Sequence, residues 1–276
     1  MSLRLRDHMM SAIGDLRFEP IQTRLRAISG GEVVADSTNA LVVWEPKRVV
    51  PSYAVPVADV QGELAVAPER QPATERPVAV MLGGPPVLDP RTPFSVHTAS
   101  GTSFDLRTPS GQLDDAVFRL DEPPLEEVVV LDFAGFDTWL EEEQEVVGHP
   151  HDPFHRIDVH RSSRHVEVRL GGETLALSTR AHHLSEAMLP DRFYIPRDDV
   201  RLDLLSPSPT RTVCAYKGHA SYFSFDGSPE GVDIAWTYED PLHDALDTAG
   251  DIAFFSERVD LIVDGVERER PVTPWS

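Results

Sequence analysis

Two stretches of the chain nearly repeat each other: RAISGGEVVADSTNA at residues 26–40 and EVRLGGETLALSTRA at residues 167–181, offset by 171 − 30 = 141 positions. Such a repeat constrains the fold more than any overall property, since both copies must bury the same apolar positions in the same way. Three further matches extend it. YAVPVADV ending at Val60 resembles YIPRDDV ending at Val200, an offset of 200 − 60 = 140. FRLDEPPLEE from Phe118 resembles WTYEDPLHDA from Trp236 (236 − 118 = 118), and Phe136-Asp137 resembles Val259-Asp260 (259 − 136 = 123). The falling offset means that the first copy holds about two dozen extra residues in its middle, and such differences map to loops. Pro68, Pro72, Pro77, Pro85, Pro86, Pro90 and Pro93, with Gly83-Gly84, mark the place. Prolines at that density suit a surface excursion and not a central strand. The expected domains are residues 17–148, a degenerate first copy with the Pro-rich insertion, and residues 149–276, the second copy.

Each copy reads as β. Val166, Val168 and Leu170 alternate with polar residues, Gly171-Gly172 supplies positive φ, and residues 174–177 resume the pattern, which together describe a hairpin. Residues 23–28, Gly30-Gly31 and residues 32–35 repeat it. Residues 252–255 and 261–263 are strand candidates, with Asp264-Gly265 as a turn into Val266. Helix is scarce: Pro241 and Gly250 bracket one short turn at residues 242–249. Residues 3–16 read either as a helix with Leu5, Met9, Ile13 and Leu16 on one face or as a frayed terminus. The fold class expected is all-β, mainly antiparallel, in two tandem domains.

Charge narrows the function. Lys plus Arg number 25 against 46 Asp plus Glu, a formal charge of −21, so the surface repels phosphate backbones and anionic lipid and neither nucleic acid nor a membrane is an expected partner. At 41% hydrophobic the chain is too apolar for a disordered acidic tail. The single cysteine, Cys214, excludes an internal disulfide and a Cys-only zinc site, and its solitude fits a reducing compartment; a cytoplasmic location is expected. The purely apolar stretch at residues 78–82 is far short of a membrane span, and residues 1–20 contain no apolar secretory core.

The second copy carries CAYKG at Cys214 to Gly218 and AWTYEDPL at Ala235 to Leu242, after YIPRDDV at Tyr194 to Val200. These motifs resemble the bacterial family of domain of unknown function 427, to which a nucleotidyltransferase-like name is also attached. The linker WLEEEQEVVGHPHDPFHRID, Trp139 to Asp158, resembles the join in its two-copy members. The resemblance implies a compact antiparallel domain similar to the Mss4-like or β-tent folds. Relatives of that fold include methionine sulfoxide reductases and the drug-binding domain of cereblon, and many hold zinc with four cysteines. That zinc site cannot form here, and the family brings no settled activity. Against Cys214 to Gly218 the first copy sets His97-Thr98-Ala99-Ser100-Gly101, and Phe118 and Leu120 replace Trp236 and Tyr238. Any small-molecule site therefore belongs to the second copy, with the first as scaffold or as one wall of a shared cleft.

Lys217 is one of two lysines, Lys47 being the other, beside 25 − 2 = 23 arginines. An ammonium shifts its pKa on burial and serves proton transfer, Schiff-base formation or anion capture as guanidinium does not; alternatively its stem lies on an aromatic, its head in water or paired to Asp198 or Asp199. Cys214 is either a thiol activated by Lys217 or His219, or a small buried apolar group. Tyr194, Tyr216, Trp236, Tyr238 and Tyr222 either line a pocket that stacks a planar or cationic ligand or pack a β core. His149, His151 and His155, with Asp152 and Asp158, gather metal-ligand types, though without the helical spacing of a hydrolase zinc site; the alternative is a proline-stiffened linker. No cofactor is expected. Glu141–Glu143 with Glu145 reads as a solvated strand edge. Two-metal nucleotide transfer wants grouped carboxylates and triphosphate donors; Asp199 and Asp203 on a strand would lie about 13 Å apart, and only Lys217, Arg211 and Arg201 offer a positive pocket. The leading expectation is a small-molecule pocket in the second copy, with Lys217 binding or shuttling a proton and Asp198 or Asp199 tuning it. A structural or protein-interaction module is the competing class, and a homo-oligomer is compatible with either.

Overall fold

The computed structural model describes residues 2, 4–69, 77–78, 85–274 and 276. It divides into two units, Met1–Val78 with Gly84–Pro153, and, among the described residues, Phe154–Ser276. Each is built from two antiparallel sheets.

In the first unit the strands are β1 (Arg17–Pro20), β2 (Leu25–Ser29), β3 (Glu32–Ser37), β4 (Leu41–Trp44), β5 (Ser52–Pro56), β6 (Glu63–Val66), β7 (Pro77–Val78), β8 (Val87–Leu88), β9 (Gly101–Thr108), β10 (Gly111–Leu120), β11 (Val128–Leu131), β12 (Thr138–Glu141) and β13 (Gln144–Val146). The second unit continues with β14 (Ile157–Arg161), β15 (Val166–Leu170), β16 (Glu173–Ser178), β17 (His182–Glu186), β18 (Arg192–Ile195), β19 (Ser206–Cys214), β20 (Gly218–Ser224), β21 (Ala235–Tyr238), β22 (Ile252–Phe254), β23 (Asp260–Val263) and β24 (Val266–Glu267). The first unit has a seven-stranded sheet ordered β1-β4-β5-β11-β10-β9-β6 and a four-stranded one ordered β13-β12-β2-β3. The second has β14-β17-β18-β22-β21-β20-β19 and β16-β15-β23-β24. Taken in chain order the two sets of eleven strands follow one path, and among the described residues the first unit adds the β7-β8 pair.

The hairpins follow from glycine. Gly30 and Gly31 have φ of 60° and 80°, Gly171 and Gly172 of 61° and 87°. Two successive positive φ values make the tight turn whose twist matches a hairpin, and only glycine takes both without a steric cost. Alternation then buries one side of each strand: Val166, Val168 and Leu170 face the core with Glu167 and Arg169 outside it. The large and small sheets of the second unit close on each other through Val168, Leu175, Ile195 and Ile252. In the first unit Leu25, Val42, Val55 and Trp139 do the same. Fully burying a side chain of this size is worth about 1.5–3 kcal/mol.

The first unit has a second core on the other face of its large sheet, made by Val43, Ala54, Phe118, Leu120 and Val130 with Phe94 and Ala99 against it. The Pro-rich insertion provides that cover. Pro68, Pro77, Pro85, Pro86, Pro90 and Pro93 are exposed, as a surface excursion requires, while Val87, Leu88, Asp89, Thr92 and Val96 between them are buried; Pro72 and Gly83-Gly84 lie outside the described residues. Near the start, α1 (Leu5–Ser11) is shorter than the apolar spacing suggested; Leu5 and Met9 stay largely exposed, and of that face Leu16, beyond the helix, packs against a core. The helical turn expected at residues 242–249 is a kinked 3-10 segment, His243–Thr248, ended by Gly250 at φ 72°.

Candidate functional site

In β17, the alternation that buries Leu184 carries Glu186 on the same side, at the strand's end. Opposite it, Cys214 pairs with Gly218, and the intervening turn projects Lys217. Gly218 makes that turn at φ 91°, and the Lys217 carbonyl accepts from the Leu242 amide at 3.2 Å. The Lys217 ammonium donates to Glu186 Oε2. His155, just before β14, sets Nε2 3.2 Å from Glu186 Oε1, and its ring stacks on Tyr216 at 4.1 Å with 18° between planes. The Lys217 and Glu186 side chains are each 8% exposed and that of His155 17%.

Burial alone would push the Glu186 carboxyl up, but the Lys217 ammonium and the His155 imidazole outweigh it and hold it down at about 2. Lys217 is the mirror case: burial pulls its pKa down, yet Glu186, with Cys214 and Tyr194 nearby, holds it above the ordinary lysine value. Both ends are therefore charged. Since an ionised carboxylate only accepts, Nε2 of His155 carries the hydrogen shared with Glu186. A lysine this firmly protonated is a fixed charge and not an amine nucleophile.

The structure brings three of the aromatic candidates, Tyr222, Trp236 and Tyr194, onto one row of the sheet, while Tyr238 lies opposite Ala220 and Tyr216 sits in the turn before β20. Tyr222, Trp236, Ala253, Tyr194 and His182 are successive ladder partners. Trp236 Nε1 donates to the Tyr194 hydroxyl at 3.2 Å with the rings edge to face, and Trp236 also packs on Phe255. Burial pushes the Tyr194 phenol up to about 12 and raises those of Tyr238 and Tyr222 as well. These rings lie against one another within the core, and Cys214 packs beside them. A hollow of about 400 Å³ is formed by residues 224–229 and 232 and touches none of them.

Several sequence expectations are corrected. Lys217 pairs with Glu186, not with Asp198 or Asp199. Asp199 accepts from Arg180 and Ser178, Asp198 is 90% exposed near Arg180, and both sit in the 3-10 turn Arg197–Asp199. Asp203 lies in a separate 3-10 turn, Leu202–Leu204, paired to Arg201, so no strand carries the two carboxylates. Arg211 donates to the Ser208 and Thr210 carbonyls; the three cations proposed for a triphosphate each have other partners. His149 Nδ1 meets the Pro150 carbonyl, His151 meets Glu141 and His155 meets Glu186, and no group of three metal-ligating side chains forms among the described residues. Glu141 is no solvated edge: only 19% exposed, it accepts from Tyr53 and holds His151.

Sequence reasoning missed Glu186, although the repeat contained it. The offset of 141 pairs Glu186 with Glu45, and the left-handed residues Met188 (φ 65°) and Lys47 (φ 68°) two positions later confirm the register. Glu45 is likewise buried. It accepts from the Thr98 and Ala99 amides at 2.7 and 3.1 Å and meets His97 Nδ1 at 2.9 Å. The ladder also corrects the alignment of the turns. Phe118 pairs with Val130 and Val130 with Ala54, as Trp236 pairs with Ala253 and Ala253 with Tyr194. Leu120 opposite Gly101 then matches Tyr238 opposite Ala220, and counting back four residues sets His97 against Tyr216, not Cys214.

Residues 158–265, which contain Glu186, Lys217 and the aromatic row, match the family model described as a domain of unknown function, DUF427. This stretch is a DUF427 domain. The match starts just after His155, so the imidazole partner of Glu186 comes from the segment leading into the DUF427 domain. No curated protein matches the chain. No helix among the described residues is long and apolar enough to cross a membrane.

Proposed function

We propose that the DUF427 domain binds a small anionic or carbonyl-bearing molecule beside Lys217, Glu186 and His155 and moves a proton on it. The observation that carries this reading is a desolvated carboxylate with both oxygens committed, one to an ammonium and one to an imidazole. Lys217 supplies the fixed positive charge that favours negative charge developing on a ligand. His155, oriented by Glu186, is the proton carrier, and Tyr194, Tyr216, Trp236, Tyr238 and Tyr222 form the apolar wall behind it. We read the whole chain as a tandem duplication of one β-tent-like domain, which the shared strand order of the units supports, and as acting in the cytoplasm.

Native mass spectrometry of the full chain taken straight from cells tests this. A retained small molecule on the wild type, lost in His155→Ala while melting is unchanged, is the expected result. Retention by both variant and wild type, or by neither, would count against it.

A structural reading is favoured by one observation. Glu45, at the matching position, serves to hold backbone amides of its own unit. If Glu186 is such a clamp and nothing more, His155→Ala costs a little stability and no ligand.

A further inference from the structure

We propose that the first unit binds a hydroxyl group in an enclosed polar site around His97, roofed by residues 89–96. This inference is independent of the function proposed for the second unit.

Three polar atoms with no hydrogen-bond partner among the described residues, each sealed from solvent, belong to residues gathered here: His97 Nε2, Arg48 Nε and Thr92 Oγ1. Their side chains are strongly buried, Arg48 and Thr92 being 7% and 4% exposed and the His97 side chain 10%. His97 and Arg48 converge on one atom, Glu45 Oε1, with Nδ1 at 2.9 Å and Nε at 4.0 Å. The Arg48 guanidinium donates to the Pro93 and Val96 carbonyls at 2.8 and 2.6 Å and to the Thr92 carbonyl at 3.4 Å, which ties the roof down. The His97 ring is clamped face to face on Phe118 at 3.5 Å with Phe94 edge-on, so it cannot swing away to find another partner.

Folded chains pair their buried polar groups, and orphan atoms on His97 and Arg48, both beside the Glu45 carboxylate, with a third on Thr92, whose carbonyl meets Arg48, mark a place made for a ligand atom. The donor pattern selects its chemistry. Arg48 Nε only donates, so the ligand must offer an acceptor. Burial opposes ionisation of Glu45, but His97 and the Thr98 and Ala99 amides hold its carboxyl below the ordinary value, so it accepts the Nδ1 hydrogen of His97; in that tautomer Nε2 is an acceptor, and the ligand must also donate. Carboxylates and phosphates accept without donating and would meet the charge of Glu45, while a metal cation would face the Arg48 hydrogen. A hydroxyl does both jobs, whether it belongs to water or to a small alcohol or polyol. It would sit on a carboxylate-backed imidazole, the arrangement that eases removal of its proton.

The test is a crystal structure of the full chain grown without alcohol additives, together with the melting temperature of Thr92→Val. The proposal expects oxygen density within hydrogen-bond reach of His97 Nε2 and of Arg48 Nε or Thr92 Oγ1. An isolated peak identifies water and an extended one an alcohol. It also expects Thr92→Val to melt about 2–4 °C lower, because the ligand loses a partner. Absence of such density, or a variant melting at or above the wild-type temperature, overturns it.

Discussion

The two units place a buried glutamate at the same point of the same strand path and use it differently. Glu45 holds the chain that leads into β9: its oxygens take two backbone amides and an imidazole from consecutive residues, His97 to Ala99. Glu186 takes side chains from two separate segments, Lys217 and His155. Backbone amides are neutral and cannot leave, so Glu45 fixes a conformation. Glu186 instead holds a side-chain ammonium and a largely buried imidazole, an ion pair with a ring set against it. The difference follows from what covers the sheet: small or apolar Ala54, Phe118 and Leu120 under a proline-rich roof in one unit, and Tyr194, Trp236 and Tyr238 in the other.

The largest expected effect breaks the comparison on the charged side. Lys217→Ala leaves Glu186 buried without its ammonium and should cost about 3–5 kcal/mol in denaturant unfolding. Lys217→Met combined with Glu186→Met should recover most of that loss, because a buried ion pair is often matched by apolar side chains of similar volume. A single variant as stable as the wild type would refute the buried pair.

Next comes pH. The Glu186 carboxyl is held at about 2 against an ordinary 4.5, so its contribution is complete above pH 4.5 and fades as pH falls toward 2. The amount at stake is up to about 3 kcal/mol. Lys217, held above its ordinary 10.5, contributes fully below that pH and loses its share only as pH rises further. Stability measured from pH 7 to 3 should therefore fall more steeply in the wild type than in the double Met variant.

Glu45→Gln sharpens the contrast. Its amide oxygen still accepts from Thr98 or Ala99, so the loss should be about 1–3 kcal/mol and confined to the first unit, read by hydrogen exchange of its amides.

The smallest effects test the shared hairpin. Gly31→Ala and Gly172→Ala meet open space and suffer only from positive φ, so each should cost about 1 kcal/mol. Gly30→Ala should cost more, since its Cβ would come 2.6 Å from Ser110 Cβ; the matching Gly171→Ala meets the Gly227 carbonyl at 3.1 Å and should fall between.

The β architecture was legible because it is written in short-range signals: paired glycines at Gly30-Gly31 and Gly171-Gly172, alternation at Val166, Val168 and Leu170, and Asp264-Gly265 before β24. The importance of Lys217 was legible too, from its rarity in an arginine-rich chain. Its partner was not, because Asp198 and Asp199 lie beside Tyr194 in sequence while Glu186 reaches Lys217 only through a sheet that folds distant strands together. His155 was visible as a ligand-type side chain, but composition cannot distinguish a metal ligand from the second partner of a carboxylate. Glu141 shows the same limit: a run of glutamates looks solvated until the fold lays Tyr53 and His151 on one of them.

The most direct test of the account is difference infrared spectroscopy of the full chain against Glu186→Gln, followed from pH 7 to 3. The account predicts an ionised Glu186 carboxylate across that range, with a band that moves when Lys217 is replaced by Met. A carboxyl that protonates near 4.5 and ignores the lysine would contradict it.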